Sequence, residues 1–158
     1  MKIASIVENL SLNQSNFFMT KTFNKLGEYG IEPFCFYGDL TATGIKPNFA
    51  TMNVYYLNNF YNGIIICNTI NTLRILKTIN TNARKMFYVW DLEWLRLNKS
   101  GVLNYKDTVD ILCNHNIELI ARSENHANAI KNYCNRKVDY IISDWDIDQI
   151  RGLYDRRR

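Results

Sequence analysis

Asp91 has the strongest claim among the acidic residues to a catalytic role. It directly follows a run of large apolar residues at 85–90, and Trp90 and Trp94 flank it. A carboxylate at the end of a strand, shielded from water by aromatic rings, is suited to act as a general base. Glu93 lies two residues further on and is either its partner or a solvated side chain. The competing interpretation is that Asp91 caps the turn and that the tryptophans belong to the core or to an interface.

Further polar residues come directly after predicted strands, and we expect them to contact substrate. Ligands of open α/β sheets bind beyond the carboxyl ends of the strands, where such residues meet. The predicted substrate-binding residues at these positions are Asn9, Ser11, Asn68, Thr69, Glu93 and Ser123.

Four basic residues lie on and after a predicted helix, namely Arg74, Lys77, Arg84 and Lys85. Basic side chains near Tyr and Phe contact phosphates and bases in many proteins, so these four are candidate nucleic-acid-binding residues. The alternative is an ordinary solvated helix face. The formal net charge of +4 permits nucleic-acid contact without requiring it. A short basic tail follows at 156–158.

Several common catalytic motifs are absent from the sequence. Neither GxGxxG nor GxxxxGK[ST] occurs, which disfavours a standard dinucleotide site or P-loop, and there is no GxSxG nucleophile elbow. The four cysteines include no CxxC pair and the chain has only two histidines, so we expect no metal site. Each cysteine lies in or beside an apolar segment, as reduced core thiols do.

Alternating apolar segments predict a single α/β domain, with a mainly parallel sheet and helices on both faces. Predicted strands lie at 2–7, 31–37, 54–57, 63–67, 85–90, 117–121 and 138–142. Predicted helices lie at 17–26, 70–79, 107–113, 123–133 and 146–154, and residues 39–52 are predicted to be a loop. Ser15 or Asn16 is expected to cap the first helix, and Asn68 or Thr69 the second. Pro33 indicates an edge strand or the start of a strand.

Length and composition narrow the class of protein. With 158 residues, of which 47% are hydrophobic, the chain can bury a full core, and we exclude a disordered protein. No stretch reaches the ~18–20 apolar residues of a membrane span, and the N-terminal apolar run is too short for a signal peptide. We therefore expect a cytoplasmic protein in which residues 1–155 form one domain. The frequent Asn, Ile, Lys and Tyr residues are typical of AT-rich genomes, including those of many phages.

The order of these segments resembles the N-terminal half of GT-B glycosyltransferases, and in particular the DNA β-glucosyltransferases of T-even phages. The likeness rests on MKIA at 1–4, GIIIC at 63–67, KMFYVWD at 85–91, IELIARS at 117–123 and VDYII at 138–142. It spans most of the chain and implies a single Rossmann-like domain that receives the acceptor. By this resemblance Asp91 is the catalytic base, after a shift of one residue, and the protein acts in the cytoplasm of a phage-infected host.

The resemblance also implies a nucleotide-sugar such as a UDP-sugar as the donor, bound in this family by a second domain. We find no such domain in these 158 residues, so inverting transfer to DNA needs a partner chain or a homo-oligomer. Two other hypotheses stay open. One is a regulatory or interaction module that keeps the fold without the chemistry, and the other is a stand-alone nucleotide-binding enzyme that uses the same cleft.

Overall fold

Strands and helices alternate along the chain in the computed structural model, which describes residues 1–40, 44–93, 112–113 and 116–155. The strands are β1 (Lys2–Asn9), β2 (Glu32–Asp39), β3 (Ala50–Asn53), β4 (Ile64–Cys67), β5 (Arg84–Val89), β6 (Glu118–Ala121) and β7 (Tyr140–Ile141). The α-helices in the described ranges are α1 (Gln14–Leu26), α2 (Ile70–Thr78), α3 (Glu124–Cys134) and α4 (Ile147–Asp155). Two 3-10 turns lie at Gly27–Tyr29 and Val54–Asn59.

The seven strands form one sheet in the order β3-β2-β1-β4-β5-β6-β7, and every described pairing is parallel. The chain moves outward from β1 to β3, returns to the other side of β1 at β4, and continues to β7. This order is that of a doubly wound, Rossmann-like α/β fold, which confirms the predicted fold class.

Helices cover both faces of the sheet. Side chains of α1 and α4 pack with Ile3 and Val7 of β1 in one core cluster, whereas α2 and α3 pack with Ala4 and Ile6 in another. Successive residues of a strand point to opposite faces, so β1 contributes to both clusters. Every residue of β4 is buried, as its unbroken apolar run predicts.

Two local predictions are wrong. Residues 54–57 are not a strand but part of the Val54–Asn59 turn, and the third strand is Ala50–Asn53, inside the predicted loop. The Asn53 side chain accepts the Tyr55 N–H at 3.0 Å and so starts a turn, although the β-branched and aromatic residues that follow favour a strand. The cap of α1 is likewise Asn13, whose Oδ1 accepts the Asn16 N–H at 2.8 Å.

Of the remaining sequence predictions, some concern residues that the structure describes and others do not. Pro33 lies in an inner strand, but it precedes Phe34, the first residue of β2 that pairs with β3, so it marks a strand start. Trp94, the tail at 156–158 and most of the predicted helix at 107–113 lie outside the described residues. No helix in the described ranges is long and apolar enough to cross a membrane.

Candidate functional site

The carboxyl edge, meaning the end of the sheet where the parallel strands finish, contains the reversal of strand order. β1 and β4 are neighbours there, yet the chain leaves them toward opposite sides of the sheet. Such a reversal opens a crevice between the two outgoing connections, and ligands of doubly wound sheets bind in it. The crevice here is bordered by the first turns of α1 and α2.

Carboxylates occupy the N-terminus of α2. Thr69 caps this helix in a capping box with Thr72. Glu8, at the end of β1, accepts the Thr69 hydroxyl at 2.8 Å and the Asn71 amide at 3.0 Å. Glu93 accepts the Ile70 N–H at 3.4 Å. Helix N-termini attract anions, and in this chain its own two carboxylates fill that role.

The turn between β1 and α1 is closed by side chains in place of a glycine-rich loop. Asn9 Oδ1 accepts the Ser11 N–H at 3.0 Å and also the Ser11 hydroxyl. The Asn16 amide donates to the carbonyl oxygens of Asn9 and Ser11 at 2.9 and 3.0 Å. The predicted substrate-binding residues Asn9 and Ser11 therefore bind each other. The turn gives a phosphate no cradle of glycine N–H groups.

Asn68 lies in a buried network that joins three parts of the chain. Its side-chain amide donates to the Ser15 hydroxyl oxygen at 2.8 Å, and Trp145 Nε1 donates to the same oxygen at 3.3 Å. Asn68 is 6% exposed, and its Oδ1 has no partner within the described part of the chain. Trp145 is fully buried, and its carbonyl accepts the Thr22 hydroxyl at 2.6 Å. Sequence reasoning proposed Ser15 only as a helix cap and did not single out Trp145, because only the fold brings the two together.

Asp91 and Glu93 follow β5 at the same edge, and both are partly buried. The ring of Trp90 packs against Tyr88 with centroids 5.5 Å apart and against Phe18 at 6.1 Å. That Trp90 shields Asp91 from water stays a prediction. The Glu8 and Glu93 carboxylates face a hydroxyl, an amide and a backbone N–H group, a lining that suits a ligand rich in hydroxyl groups.

An ion pair lies over the same tryptophan. The Arg122 guanidinium stacks on Trp90 at 4.1 Å from the ring centroid, and its Nε donates to Asp144 at 2.7 Å. Asp144 and Trp145 have φ of 45° and 58°, in the left-handed region that non-glycine residues rarely adopt. Ser123, beside Arg122, caps α3 through the His126 N–H at 3.2 Å. It lies two strands from β4, about 10 Å away.

The predicted nucleic-acid-binding residues lie elsewhere. Arg84 and Lys85 begin β5 at the amino edge, the opposite end of the sheet, and the six residues of β5 separate them from Asp91 by about 20 Å. Lys77 is exposed in the last turn of α2, and Arg74 is half-buried. The structure therefore does not bring these basic residues to the carboxylate crevice.

The Arg84 side chain is held by the protein itself. It forms a bidentate pair with Glu118 at 2.9 and 2.6 Å and donates to the Leu153 carbonyl at 2.6 Å and the Tyr140 hydroxyl at 2.8 Å. The hydrogen bonds to Glu118 raise the pKa of the guanidinium. Lys85 donates to the Ile79 carbonyl at 2.5 Å, and desolvation lowers its pKa. Among the predicted phosphate contacts, Lys77 is the one with an exposed side chain.

A cavity of about 580 Å³ lies between α3 and α4 beside β7. None of the predicted site residues lines it. Within the described ranges, no group of three or more His, Cys, Asp or Glu residues is arranged to hold a metal ion. Burial raises the pKa of the Cys35 thiol to about 12 and that of Cys67 well above its usual value, so neither is a ready thiolate ligand.

The fold and the crevice place this chain in the broad class of Rossmann-like α/β domains. Comparison with known protein families, curated proteins and solved structures finds no match. The assignment to that class therefore rests on topology and does not carry a function with it.

Proposed function

We propose that this chain is the acceptor-binding half of a glycosyltransferase of the GT-B type, phage-encoded and acting on DNA. The observation that carries the proposal is the pair of carboxylates, Glu8 and Glu93, at the first turn of α2 beside the reversal of strand order, with Asp91 following the next strand, β5. Carboxylates accept hydrogen bonds from hydroxyl groups and repel phosphates. They therefore suit an acceptor hydroxyl better than a nucleotide diphosphate.

In the proposed reaction, Asp91 acts as a general base. Its carboxylate takes the proton of the acceptor hydroxyl while the hydroxyl oxygen attacks the anomeric carbon of a UDP-sugar. The bond from that carbon to the diphosphate oxygen breaks, and the UDP leaves with the electron pair. Attack from the opposite side inverts the configuration of the sugar. Trp90, the residue before Asp91 in the chain, would exclude water from one side of the base.

In this proposal the nucleotide-sugar donor is bound by a surface outside the described residues. The N-terminus of α2, the usual seat for a phosphate, is occupied by Glu8 and Glu93, and Asn9 and Ser11 close the turn before α1. A partner chain or a second copy would supply the nucleotide-binding surface. Lys77, exposed at the far end of α2, is then the best-placed predicted contact for the DNA backbone.

The test starts with affinity purification of the chain from the cells that express it. The purified assembly is assayed for transfer of a sugar from UDP-glucose to DNA that carries hydroxymethylated bases. We expect transfer, and we expect Asp91→Asn to lower kcat about 100-fold or more with little change in melting temperature. The matched control is Asp39→Asn, the same substitution at an exposed carboxylate of the same edge. An Asp91→Asn assembly that transfers at the unchanged rate contradicts the role of the base.

A second candidate function is a non-catalytic interaction module that keeps this fold. The observation that favours it is the position of the 580 Å³ cavity, which lies beside β7 and away from Asp91. For such a module the purified assembly transfers no sugar, and Asp91→Asn retains every co-purifying partner. If the unchanged assembly transfers sugar and the Asp91→Asn assembly loses transfer but keeps its partners, the result supports the enzyme and contradicts the module.

A further inference from the structure

The cavity beside β7 is a slot along the outer edge of the sheet. Its floor is the backbone at 139–142, and its two walls are α3 and α4. β7 pairs with β6 on one side, and no strand pairs with its other side within the described ranges. An unpaired strand edge is a template for another strand.

Both walls of the slot carry a small residue. Ala127 lies on α3 and Gly152 inside α4. A Cβ atom placed on Gly152 would meet no atom within 4 Å, so the packing of this chain does not require a glycine there. Glycine in a helix interior is less favourable than alanine. The open space next to the strand edge is the feature that a close-lying partner backbone would use.

Charge is unevenly distributed along the slot. Lys131 and Lys137 lie at its amino end, and neither forms an ion pair within the described part of the chain. The nearby carboxylate of Asp139 is engaged, because it accepts the Leu119 N–H at 2.7 Å and lies 3.5 Å from Arg136. Glu124 lies at the other end. The amino end of the slot is therefore basic and complements a carboxylate.

We propose that the slot receives an extended segment of a partner polypeptide, which adds an eighth strand beside β7 and sets an acidic side chain against Lys131 and Lys137. Main-chain hydrogen bonds to the strand edge would supply affinity, and the lysines would fix the register. The half-buried apolar side chains of Val138 and Ile141 line the same slot and suit apolar residues of the segment.

In the first experiment, a phage-displayed library of random decapeptides is selected for binding to the whole chain. We expect peptides with alternating apolar residues and a carboxylate at one end. One enriched peptide is then synthesised, and its binding is measured by fluorescence anisotropy. Its affinity should fall at least 10-fold in Gly152→Leu and in the Lys131→Glu, Lys137→Glu double variant. The matched control is Gly27→Leu, because Gly27 also has helical φ and no atom within 4 Å of an added Cβ. Failure to enrich any peptide, or equal binding to Gly152→Leu, overturns the proposal.

Two further measurements separate a blocked slot from a damaged fold and identify the occupant. Gly152→Ala should raise the melting temperature by about 2–4 °C, since alanine favours the helix. The same substitution should nevertheless weaken binding of the peptide. Hydrogen exchange at 140–142 should slow when the peptide binds, and unchanged exchange there contradicts strand addition. Sedimentation that reveals a dimer lost in Gly152→Leu would assign the slot to a second copy and overturn the proposal.

Discussion

At the amino edge of the sheet, Arg84 binds Glu118, Leu153 and Tyr140 at once, whereas at the carboxyl edge Glu8 and Glu93 bind the first turn of α2. The guanidinium is largely covered, with a side-chain exposure of 17%, and Glu8 is exposed. The first arrangement joins β5, β6, β7 and α4. The second arrangement caps the N-terminus of one helix, α2, and leaves its acidic groups in contact with solvent.

The difference shows which charged residues are available to a ligand. A charged group whose hydrogen bonds are supplied by its own chain stabilises the fold and has little left to offer a substrate. The basic residue that seemed suited to phosphate, Arg84, is of this kind. Glu8 keeps the exposure that binding requires, whereas Trp145, which is fully buried and bonded to Ser15, is expected to contribute most to the stability of that edge.

The largest expected effect is at that buried residue. Trp145→Ala should lower the free energy of unfolding by about 3–5 kcal/mol, because it removes a large buried side chain and its hydrogen bond to Ser15. Urea denaturation followed by circular dichroism measures the change. Trp90→Ala, at a half-buried tryptophan of the same edge, should cost less than half as much. If the two variants lose the same unfolding free energy, Trp145 does not stabilise this edge more than Trp90 does.

At the amino edge, Arg84→Met should cost about 2 kcal/mol of unfolding free energy. Glu118 then loses its partner in a half-buried position, and the Leu153 carbonyl loses its donor. The matched control is Arg151→Met, which removes an exposed pair with Asp148 and a stacking contact with the Tyr29 ring, and should change the stability by less than about 1 kcal/mol. If the two variants are equally stable, the Arg84 network does not join the strands as described.

The smallest effect is expected at the α2 cap. Thr69→Ala should cost about 1 kcal/mol, because the helix loses its N-cap and Glu8 loses one of its two donors. Thr78→Ala, at the exposed other end of the same helix, is the control for threonine replacement and should cost clearly less. Denaturation of both variants in parallel gives the difference. A cost at Thr69 no greater than at Thr78 would show that the carboxylates do not depend on the cap.

Much of the architecture could be predicted from local sequence. The buried run at 63–67 indicated an inner parallel strand, Asn68 or Thr69 was expected to cap α2, where Thr69 is the cap, and a helix was predicted to start at Ser123, which caps α3. The failures were also local. The apolar segment at 54–57 fitted a strand as well as a turn, and the hydrogen bond from Tyr55 to Asn53 decided between them.

The strand-end rule placed the candidate site in part. Asn9, Asn68, Asp91 and Ser123 all lie at the carboxyl edge, because parallel strands finish at the same end of a sheet. Their substrate roles stay predictions. The basic residues Arg84 and Lys85 lie apart from this edge, since the length of β5 separates them from Asp91.

The sequence by itself determined the alternation of strands and helices, the starts of α2 and α3 to within a residue or two, and which residues follow the strands, since these depend on periodicity and on bonds within a few residues. Only the tertiary structure decided the partners of Arg84, the burial of Trp145 and the slot beside β7. Each of these joins residues far apart in the chain, such as Thr22 and Trp145 or Arg84 and Leu153. No local pattern encodes such contacts, because they depend on how the sheet orders its strands.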